Sequence, residues 1–557
     1  MNLILFEDEH LLVVNKPAGW NTHAPSPFAG EGIYEWLKNR EPKWANLAII
    51  HRLDKETSGI LVFGKSPVAN RSLTNQFAKR FVHKKYFLLT DREISFQEFV
   101  AKSLLTRAGE KYCSAPTGEQ AVTRFRRAQS AAGVSPAGAR ISDCRRDAGS
   151  TLIEAEPLTG RTHQIRVHAA ENGFPIVGDS LYGGTSAARV CLHAAEISFE
   201  HPATGKKVSF TAPPDFSADA RLALRTSLID SSQTNAFRLV HGAADGWPGF
   251  YVDLLGEFLL AQSEKVLSDE EKAFLGKLMK KFSARGVYHK FLRRKIQRAS
   301  PEETSPQLVL GEKAPDEILI RENGIQFALR FDEGYSVGIF LDQRENRRRL
   351  LTNYIAPEFV LNPVAAVCDR RIISPGGHRA PLQNLEVLNT FAYTCAFSLW
   401  AAQAGAQVTS LDLSKKYLDW GQRNFSLNSL DPAKHDFIFG DAFDWFKRLA
   451  KRKRQFDVIL LDPPTFSRSK EHGVFQVEKN YGELVFSALP LLKSNGLLFA
   501  STNAADLKPE RFLEQIHAAV AKGGRKILQE KFFPQPPDFP IHREEPAYLK
   551  TVWLRVG

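Results

Sequence analysis

From about residue 331 onward the sequence alternates short apolar runs with helical patterns, and this alternation restricts the fold more than any other feature. LEVLNTF reads as a strand, AFSLWAAQAGA as a helix, QVTSLDL as a strand and KKYLDWGQRNFSLN as a helix. HDFIFGDA, DAFDWFKRLAKR, FDVILLDPP, GELVFSALPLLKSNG and LLFASTN continue the pattern. Such alternation calls for a mainly parallel sheet covered on both faces, an α/β unit of the Rossmann-like kind. The stretch Asn362–Asn384 breaks in and reads as an inserted surface loop.

The first ~220 residues have a different texture. LILFEDEHLLVVNKPAG and IIHRLDKETSGILVFGKS are short strands joined by turns, PVANRSLTNQFAKRF is one helical pattern, and strands resume at KKYFLLT. Many short strands with few helices imply an α+β unit built on antiparallel sheet. Ala131–Gly149 reads as a long hairpin loop between VTRFRRAQS and TLIEAEPL. Between these parts, TNAFRLVHGAADGWPGFYVDLLGEFLLAQ gives three strands, and a helix over DEEKAFLGKLMKKFSA completes a small α+β module. YHKFL and a polar, Pro-containing stretch around Ala299–Pro315 follow it. At 557 residues the chain exceeds one core, and the divisions expected are residues 1–222, 223–330 and 331–557.

Composition excludes several classes. No run of ~18 apolar residues exists to span a membrane. The apolar start carries acids where a signal peptide would carry Lys or Arg, so a cytoplasmic location is expected. Cys113, Cys144, Cys191, Cys368 and Cys395 form no CxxC pair and no metal spacing, which points to a reduced compartment without structural zinc. Lys+Arg exceed Asp+Glu by 74 to 62, a net charge of +12. That excess suits solubility as well as nucleic-acid binding.

The first chemistry centres on Asp54. HRLDKETSG (His51–Gly59) sets this acid between basic residues ahead of a strand; alone it could be a charged turn. Asn15–His23 (NKPAGWNTH), Gly160–Gly184 (GRTHQIRVHAAENGFPIVGDSLYGG) and Cys191–Ala194 (CLHA) accompany it in order. Together these motifs closely resemble the RluA-type pseudouridine synthases, over roughly Met1–Asp219. The resemblance implies a mixed fold around a bent, largely antiparallel sheet with a cleft across its middle. Pseudouridine formation breaks the C1′–N1 bond, turns the uracil and rejoins it through C5, without redox, so neither metal nor cofactor is implied. The resemblance makes Asp54 the nucleophile or base at the sugar, Arg166 its partner, and Tyr86 the ring that stacks on the base. A nearby guanidinium would help hold Asp54 ionised. His51 and Arg52 are candidate RNA contacts.

The second chemistry lies in the βα alternation. Leu385–Ala406 is strand, tight loop and helix, and Asp412 ends the next strand, where an acid suits the ribose hydroxyls of a nucleoside cofactor. Asp441, in GDAFDW, could accept from an adenine amine. FDVILLDPPTF ends an apolar strand in Asp462-Pro463-Pro464. A dehydrogenase or flavodoxin-like domain is disfavoured because no GxGxxG follows the first strand. The set resembles class I methyltransferases that use S-adenosylmethionine (SAM), and more closely the bacterial 23S rRNA enzymes of the RlmI and RlmK kinds, over about Thr226–Gly557. GYSVGIFLDQRENRR matches their FLDQR segment, and NTFAYTCAFS their first cofactor loop. Cys395 departs from a usual glycine there, and Asn389 from a common acid. The resemblance implies that Asn389, Thr390, Phe391, Tyr393, Thr394, Asp412, Asp441 and Asp462 line the cofactor. Asp462 also counts as catalytic, with Pro463, Pro464 and Phe466 beside the target base. Proline stiffness would hold that loop with little ordering cost.

The function expected is therefore two RNA modifications by one chain, with 23S rRNA the favoured partner. One competing reading keeps one activity and makes the other half an RNA-docking module, which would show as a lost catalytic residue. Another is modification of free nucleotides or small molecules, against which the positive charge and the RluA-like half both argue. The methylated atom is expected to be a base nitrogen, guanine N7 over cytosine C5. C5 methylation needs a cysteine, and LLFASTNAADL (Leu497–Leu507) has none. DPPTFSRSK resembles the RlmK-like stretch, and those enzymes methylate guanine N7.

Overall fold

A computed structural model describes residues 3–128, 150–217, 219–292, 305–333, 336–363, 382–469 and 473–557. The expected loops Ala131–Gly149 and Asn362–Asn384 fall largely outside these residues. The chain forms two compact units. The first comprises Met1–Pro25, Gly32–Leu37 and Asn46–Asp230, and the second Ser26–Glu31, Lys38–Ala45 and Ser231–Gly557.

The first unit is built on one sheet, eleven-stranded among the described residues. Its strands are β1 (Ile4–Glu7), β2 (Leu11–Lys16), β3 (Ala48–Ile49), β4 (Ser58–Gly64), β5 (His83–Thr90), β6 (Glu98–Ala108), β7 (Lys111–Ser114), β8 (Glu119–Arg127), β9 (Thr151–Pro157), β10 (Leu192–Glu200) and β11 (Lys207–Thr211). The main order is β1-β2-β4-β10-β5-β9-β8-β6-β7. Every pairing is antiparallel except β4 with β10. Strands β8 and β9 pair directly, Arg127 opposite Ile153, as the expected hairpin requires.

Helices α1 (Ile33–Lys38), α2 (Pro67–Ala78), α3 (Gln164–Glu171) and α4 (Ala220–Leu228) complete this part of the chain. Pro67 opens α2, and the Ser66 side chain accepts from the Ala69 N–H, a cap contributing about 1 kcal/mol. Helix α2 buries Ala69 and Leu73 in one cluster with Val13, Val62 and Ile197. A second cluster joins Phe87, Phe125, Ile153 and Phe174.

The second unit begins with a five-stranded sheet in the order β12 (Ala236–His241), β13 (Phe250–Leu255), β14 (Phe258–Ser263), β15 (Gly286–Phe291), β16 (Gln307–Gly311). Helix α5 (Asp269–Lys281) is closed by a capping box between Ser268 and Glu271. Strand β16 lies in the stretch read as polar and irregular. Pairing with β15 outweighs its weak local pattern. This module shares one hydrophobic cluster with the sheet that follows, Phe258 and Ile320 belonging to the same group as Trp400 and Trp553.

Hairpins β17 (Ile318–Glu322)/β18 (Ile325–Leu329) and β19 (Tyr354–Ala356)/β20 (Phe359–Val360) flank helix α6 (Arg344–Thr352). The last sheet contains β21 (Glu386–Thr390), β22 (Gln407–Asp412), β23 (Asp436–Phe439), β24 (Phe456–Leu461), β27 (Leu492–Thr502), β28 (Ile527–Pro534) and β29 (Lys550–Val556). Its order is β23-β22-β21-β24-β27-β29-β28. The first five are parallel and β29 is antiparallel to both neighbours.

Val458 and Leu460 join one apolar cluster while Ile459 and Leu461 join another, as a sheet covered on both faces requires. Helices α7 (Ala396–Gln403), α8 (Lys415–Leu427), α9 (Ala442–Lys451), α10 (Val477–Ala488) and α11 (Pro509–Lys522) supply the cover. Two local differences from the sequence pattern stand out. The stretch LKSNG belongs to β27, not to the preceding helix, because Pro490 lies in a 3-10 turn just past α10. The segment after Asp462-Pro463-Pro464 is a hairpin, β25 (Phe466–Ser469) with β26 (Gly473–Gln476), and not a bare loop. No helix among the described residues is long and apolar enough to cross a membrane.

Candidate active sites

The first unit holds a cleft of about 1260 Å³ whose walls include His51, Arg52, Asp54, Glu56, Lys84, Tyr86, Arg161, His163 and Arg166. Asp54 arrives on the turn before β4. That turn is pinned from below by Lys16, whose buried ammonium donates to the carbonyls of Trp20 at 2.8 Å, and of Pro17 and Lys55 at 3.1 Å. Burial pushes the Lys16 amine down to about 7, with Glu56 and Asp54 resisting. Arg166 comes from α3, whose start is fixed by Gln164. The Gln164 amide donates to the Val122 carbonyl and the Thr123 hydroxyl and accepts from Thr159 and the Arg161 N–H.

Arg166 Nη1 stands 3.9 Å from Asp54 Oδ2 and 3.9 Å from Glu56 Oε2. Its close partner is another acid, Asp179. The guanidinium donates twice to that carboxylate, both at 2.7 Å, and both groups are buried. The arginine expected to pair with Asp54 is thus oriented by Asp179 and carries a charge past it toward Asp54. Burial pushes the Asp54 carboxyl above its ordinary value; His163 and Arg166 pull it back, and Glu56 adds to the rise. These groups thus offset part of the desolvation of the charged form.

Tyr86, on β5, faces the same cleft, and burial raises its phenol well above the ordinary value, the Asp54 charge adding to this. His51 stacks on Phe77 at 4.9 Å, and its Nε2 accepts from the Val62 N–H at 3.1 Å. Burial pushes that imidazole down to about 3, so it is a neutral part of the wall. Arg52 is exposed at the rim.

In the second unit the loop after β21 carries three non-glycine residues at positive φ, Phe391 (56°), Tyr393 (48°) and Cys395 (59°). The last explains why a glycine suits that position. Cys395 is fully buried, its thiol pushed well above the ordinary value by burial. A Cβ on Gly421 of α8 would lie 2.4 Å from its sulfur, so the thiol faces the packed helix. Asp412 ties the loop down: Oδ2 accepts from the Tyr393 N–H and Oδ1 from the Ser414 N–H, both at 2.8 Å.

Of the other expected cofactor residues, Asn389 and Thr390 turn inward. Asn389 donates to the Ser398 hydroxyl and Thr390 to the Leu460 carbonyl. Thr394 donates to the Gly338 carbonyl. Phe391 and Asp441 line a smaller cavity of about 150 Å³ with Leu413, Phe443 and Phe475. One Asp441 oxygen caps α9 through the N–H groups of Phe443 and Asp444. Aromatic walls, an acid and a neighbouring Asp412 fit a purine nucleoside such as the adenosine part of SAM.

Asp462 stands in a different setting. Gln343 Nε2 lies 3.3 Å from both of its oxygens and donates to the Ser501 hydroxyl at 2.8 Å. Burial pushes the Asp462 carboxyl up to about 6; Ser501 lowers it, and the negative charge of Asp342 adds to the rise. Asp342 accepts from the Tyr548 hydroxyl at 2.9 Å. Pro463 is buried, Pro464 half-buried and Phe466 49% exposed. Helix α6 is anchored by buried, two-toothed pairs of Arg344 with Asp538 and Arg347 with Glu322.

Asp179, Gln343 and Tyr548 were not singled out as site residues by sequence. The first two stand inside the quoted GDSLYGG and FLDQR segments; nothing local marks Tyr548.

Residues 10–171 match the family model of RNA pseudouridylate synthases, and residues 379–555 that of S-adenosylmethionine-dependent methyltransferases. The ribosomal RNA large subunit methyltransferase of Deinococcus radiodurans is 30% identical over 350 residues, 61% of this chain and 78% of that protein. The ribosomal large subunit pseudouridine synthase C of Escherichia coli is 35% identical over 231 residues, 38% of this chain and 67% of that protein. The crystal structure of SMU.776 complexed with SAH is similar at 30% identity and a TM-score of 0.50, covering 64% of this chain and 86% of that one. The chain belongs to the RNA pseudouridylate synthase family through its first part and to the S-adenosylmethionine-dependent methyltransferase family through its last, and is an enzyme of both kinds.

Proposed function

We propose that this chain converts a uridine of 23S rRNA to pseudouridine in the Asp54 cleft and methylates a second base, at guanine N7, in the cytoplasm. The observation that carries the pairing is that both sites keep their acid in a chemically competent setting. Asp54 faces the Arg166 guanidinium across an open cleft. Asp462 is clamped by an amide beside a stiff Pro-Pro turn. The docking-module alternative would leave one acid missing or unsupported. The large-subunit relatives favour 23S rRNA as partner.

In the first site, ionised Asp54 acts at the sugar carbon, and Tyr86 stacks on the base. Arg166 offsets the cost of keeping the carboxylate charged away from water. Arg52 at the rim supplies a phosphate contact. Turning a base out of its stack costs a few kcal/mol, which such contacts offset.

In the second site, SAM when bound supplies an electrophilic sulfonium methyl. Asp412 would hold the ribose, Asp441 the adenine amine, and Phe391 and Phe443 the ring faces. Asp462, Pro463, Pro464 and Phe466 position the acceptor base. A ring nitrogen already has a lone pair and needs only alignment. Cytosine C5 needs a thiolate to add at C6 first. Ser501 and Thr502, at the end of β27, are buried; the Ser501 hydroxyl accepts from Gln343, and the Thr502 hydroxyl from the Ala504 N–H. Cys395 is buried against α8, and Cys368 lies outside the described residues. Mass spectrometry of nucleosides from RNA treated with enzyme and isotopically labelled SAM tests this. Label in 7-methylguanosine is expected, and label in 5-methylcytidine would overturn it.

A further inference from the structure

The turn between β9 and α3 carries a histidine that the chemistry above leaves without a role. His163 sits just before α3 at a left-handed φ of 55° and lines the same cleft as Asp54 and Tyr86. It is held from behind. The Tyr112 N–H donates to the Tyr182 hydroxyl at 2.9 Å, and that oxygen lies 2.8 Å from His163 Nδ1. A phenol has one proton to give. With its oxygen accepting from Tyr112, the hydroxyl keeps its own proton to give, and Nδ1 is the acceptor within its reach among the described residues. Nδ1 is then an acceptor, and the neutral ring carries its own proton on Nε2. Tyr182 is itself fixed, because the Arg166 guanidinium lies over its ring at 5.1 Å. On the far side of the imidazole, Nε2 has no hydrogen-bond partner among the described residues.

We propose that His163, fixed as the Nε2–H tautomer by Tyr182, donates a hydrogen bond to a carbonyl oxygen of the target uracil as its glycosidic bond breaks. This rests on the reading of the cleft as the pseudouridine site. When C1′–N1 breaks, the bonding pair leaves with the uracil and spreads over N1, O2 and O4. A donor fixed in advance at one carbonyl stabilises that charge without reorganising. The ring turns, C5 bonds to C1′, the C5 proton is lost and N1 gains one, so the product is an isomer. A neutral donor suits the step, because an imidazolium would pair with Asp54 and quench it. Burial lowers the His163 imidazole and Arg166 lowers it further, outweighing the upward pull of Asp54, Glu56 and Asp179.

The test is tritium release from C5. The RNA is total RNA labelled with [5-³H]uridine in cells lacking this protein, and the enzyme is the full chain. Glutamine places an amide N–H where Nε2 stands, and asparagine places it where Nδ1 stands. His163→Gln is expected within about tenfold of wild type, and His163→Asn about 10²–10³-fold slower, the loss typical of one such donor. The thermal midpoint of the transition that added SAH does not shift, that of the first unit, reports folding in both variants. Equal rates for His163→Asn and wild type, or equal impairment of the two variants, would overturn the inference alone. No release by wild type, whatever residue stands at 163, would overturn the reading of the cleft and the inference with it.

Discussion

Replacing Asp179 with asparagine isolates what orients the first site. Asp179 and Arg166 are 1% and 3% exposed and share two hydrogen bonds of 2.7 Å. Removing one partner of a buried pair strands the other charge, at a typical cost of about 3–5 kcal/mol. Two features place this case at the low end. Asparagine still offers one carbonyl oxygen, and Asp54 and Glu56 each stand 3.9 Å from the stranded guanidinium. A cost of about 3 kcal/mol corresponds to about 6–12 °C for a domain of this size. The same change should swing Arg166 toward Asp54 and slow pseudouridine formation. Calorimetry of the full chain reads it, with added SAH marking the transition of the methyltransferase unit. The other transition should fall by the stated amount. A midpoint within about 2 °C of wild type would refute the claim that this pair supports the site.

The remaining predictions concern single groups. Asp462→Asn should remove the low-pH limb of methyl transfer: the wild-type rate should fall as pH drops through about 6, where the raised carboxyl takes up its proton, and an unchanged profile would contradict this. Gly421→Ala should weaken SAM binding and destabilise the second unit by about 1–3 kcal/mol, because the new methyl would meet Cys395; calorimetric titration with SAM reads the change, and wild-type affinity would refute it. Cys395→Ser and Cys368→Ser should both retain methyl transfer, and loss of it in either with SAM still bound would reinstate a thiolate mechanism. RNA affinity measured by filter binding should fall steeply between 50 and 200 mM salt if phosphate contacts carry it, and a flat response would assign the charge excess to solubility.

Much of this was legible before the fold. The strand–helix alternation specifies a parallel sheet because its helices must cover both faces, and Val458 to Leu461 then divide between two clusters. Asp54, Arg166 and Tyr86 were readable from motifs that the sheet brings to one cleft. What stayed hidden is what depends on distant partners. Asp179 reads locally as a Gly-Asp turn, and only the return of the chain beside α3 makes it the closer partner of Arg166. Asn389 sits in the cofactor loop by sequence, yet strand alternation turns its amide toward Ser398. The hairpin at Phe466–Gln476 escaped notice because two prolines before it read as a loop.

The central claim is that one chain carries two independent activities on RNA. Its most direct test is nucleoside mass spectrometry of rRNA from cells lacking this protein, after incubation with SAM and wild type, Asp54→Asn or Asp462→Ala. Wild type should add both pseudouridine and a methylated base, Asp54→Asn only the methyl mark, and Asp462→Ala only pseudouridine. If wild type adds one mark alone, or if Asp54→Asn still adds pseudouridine, the account is wrong.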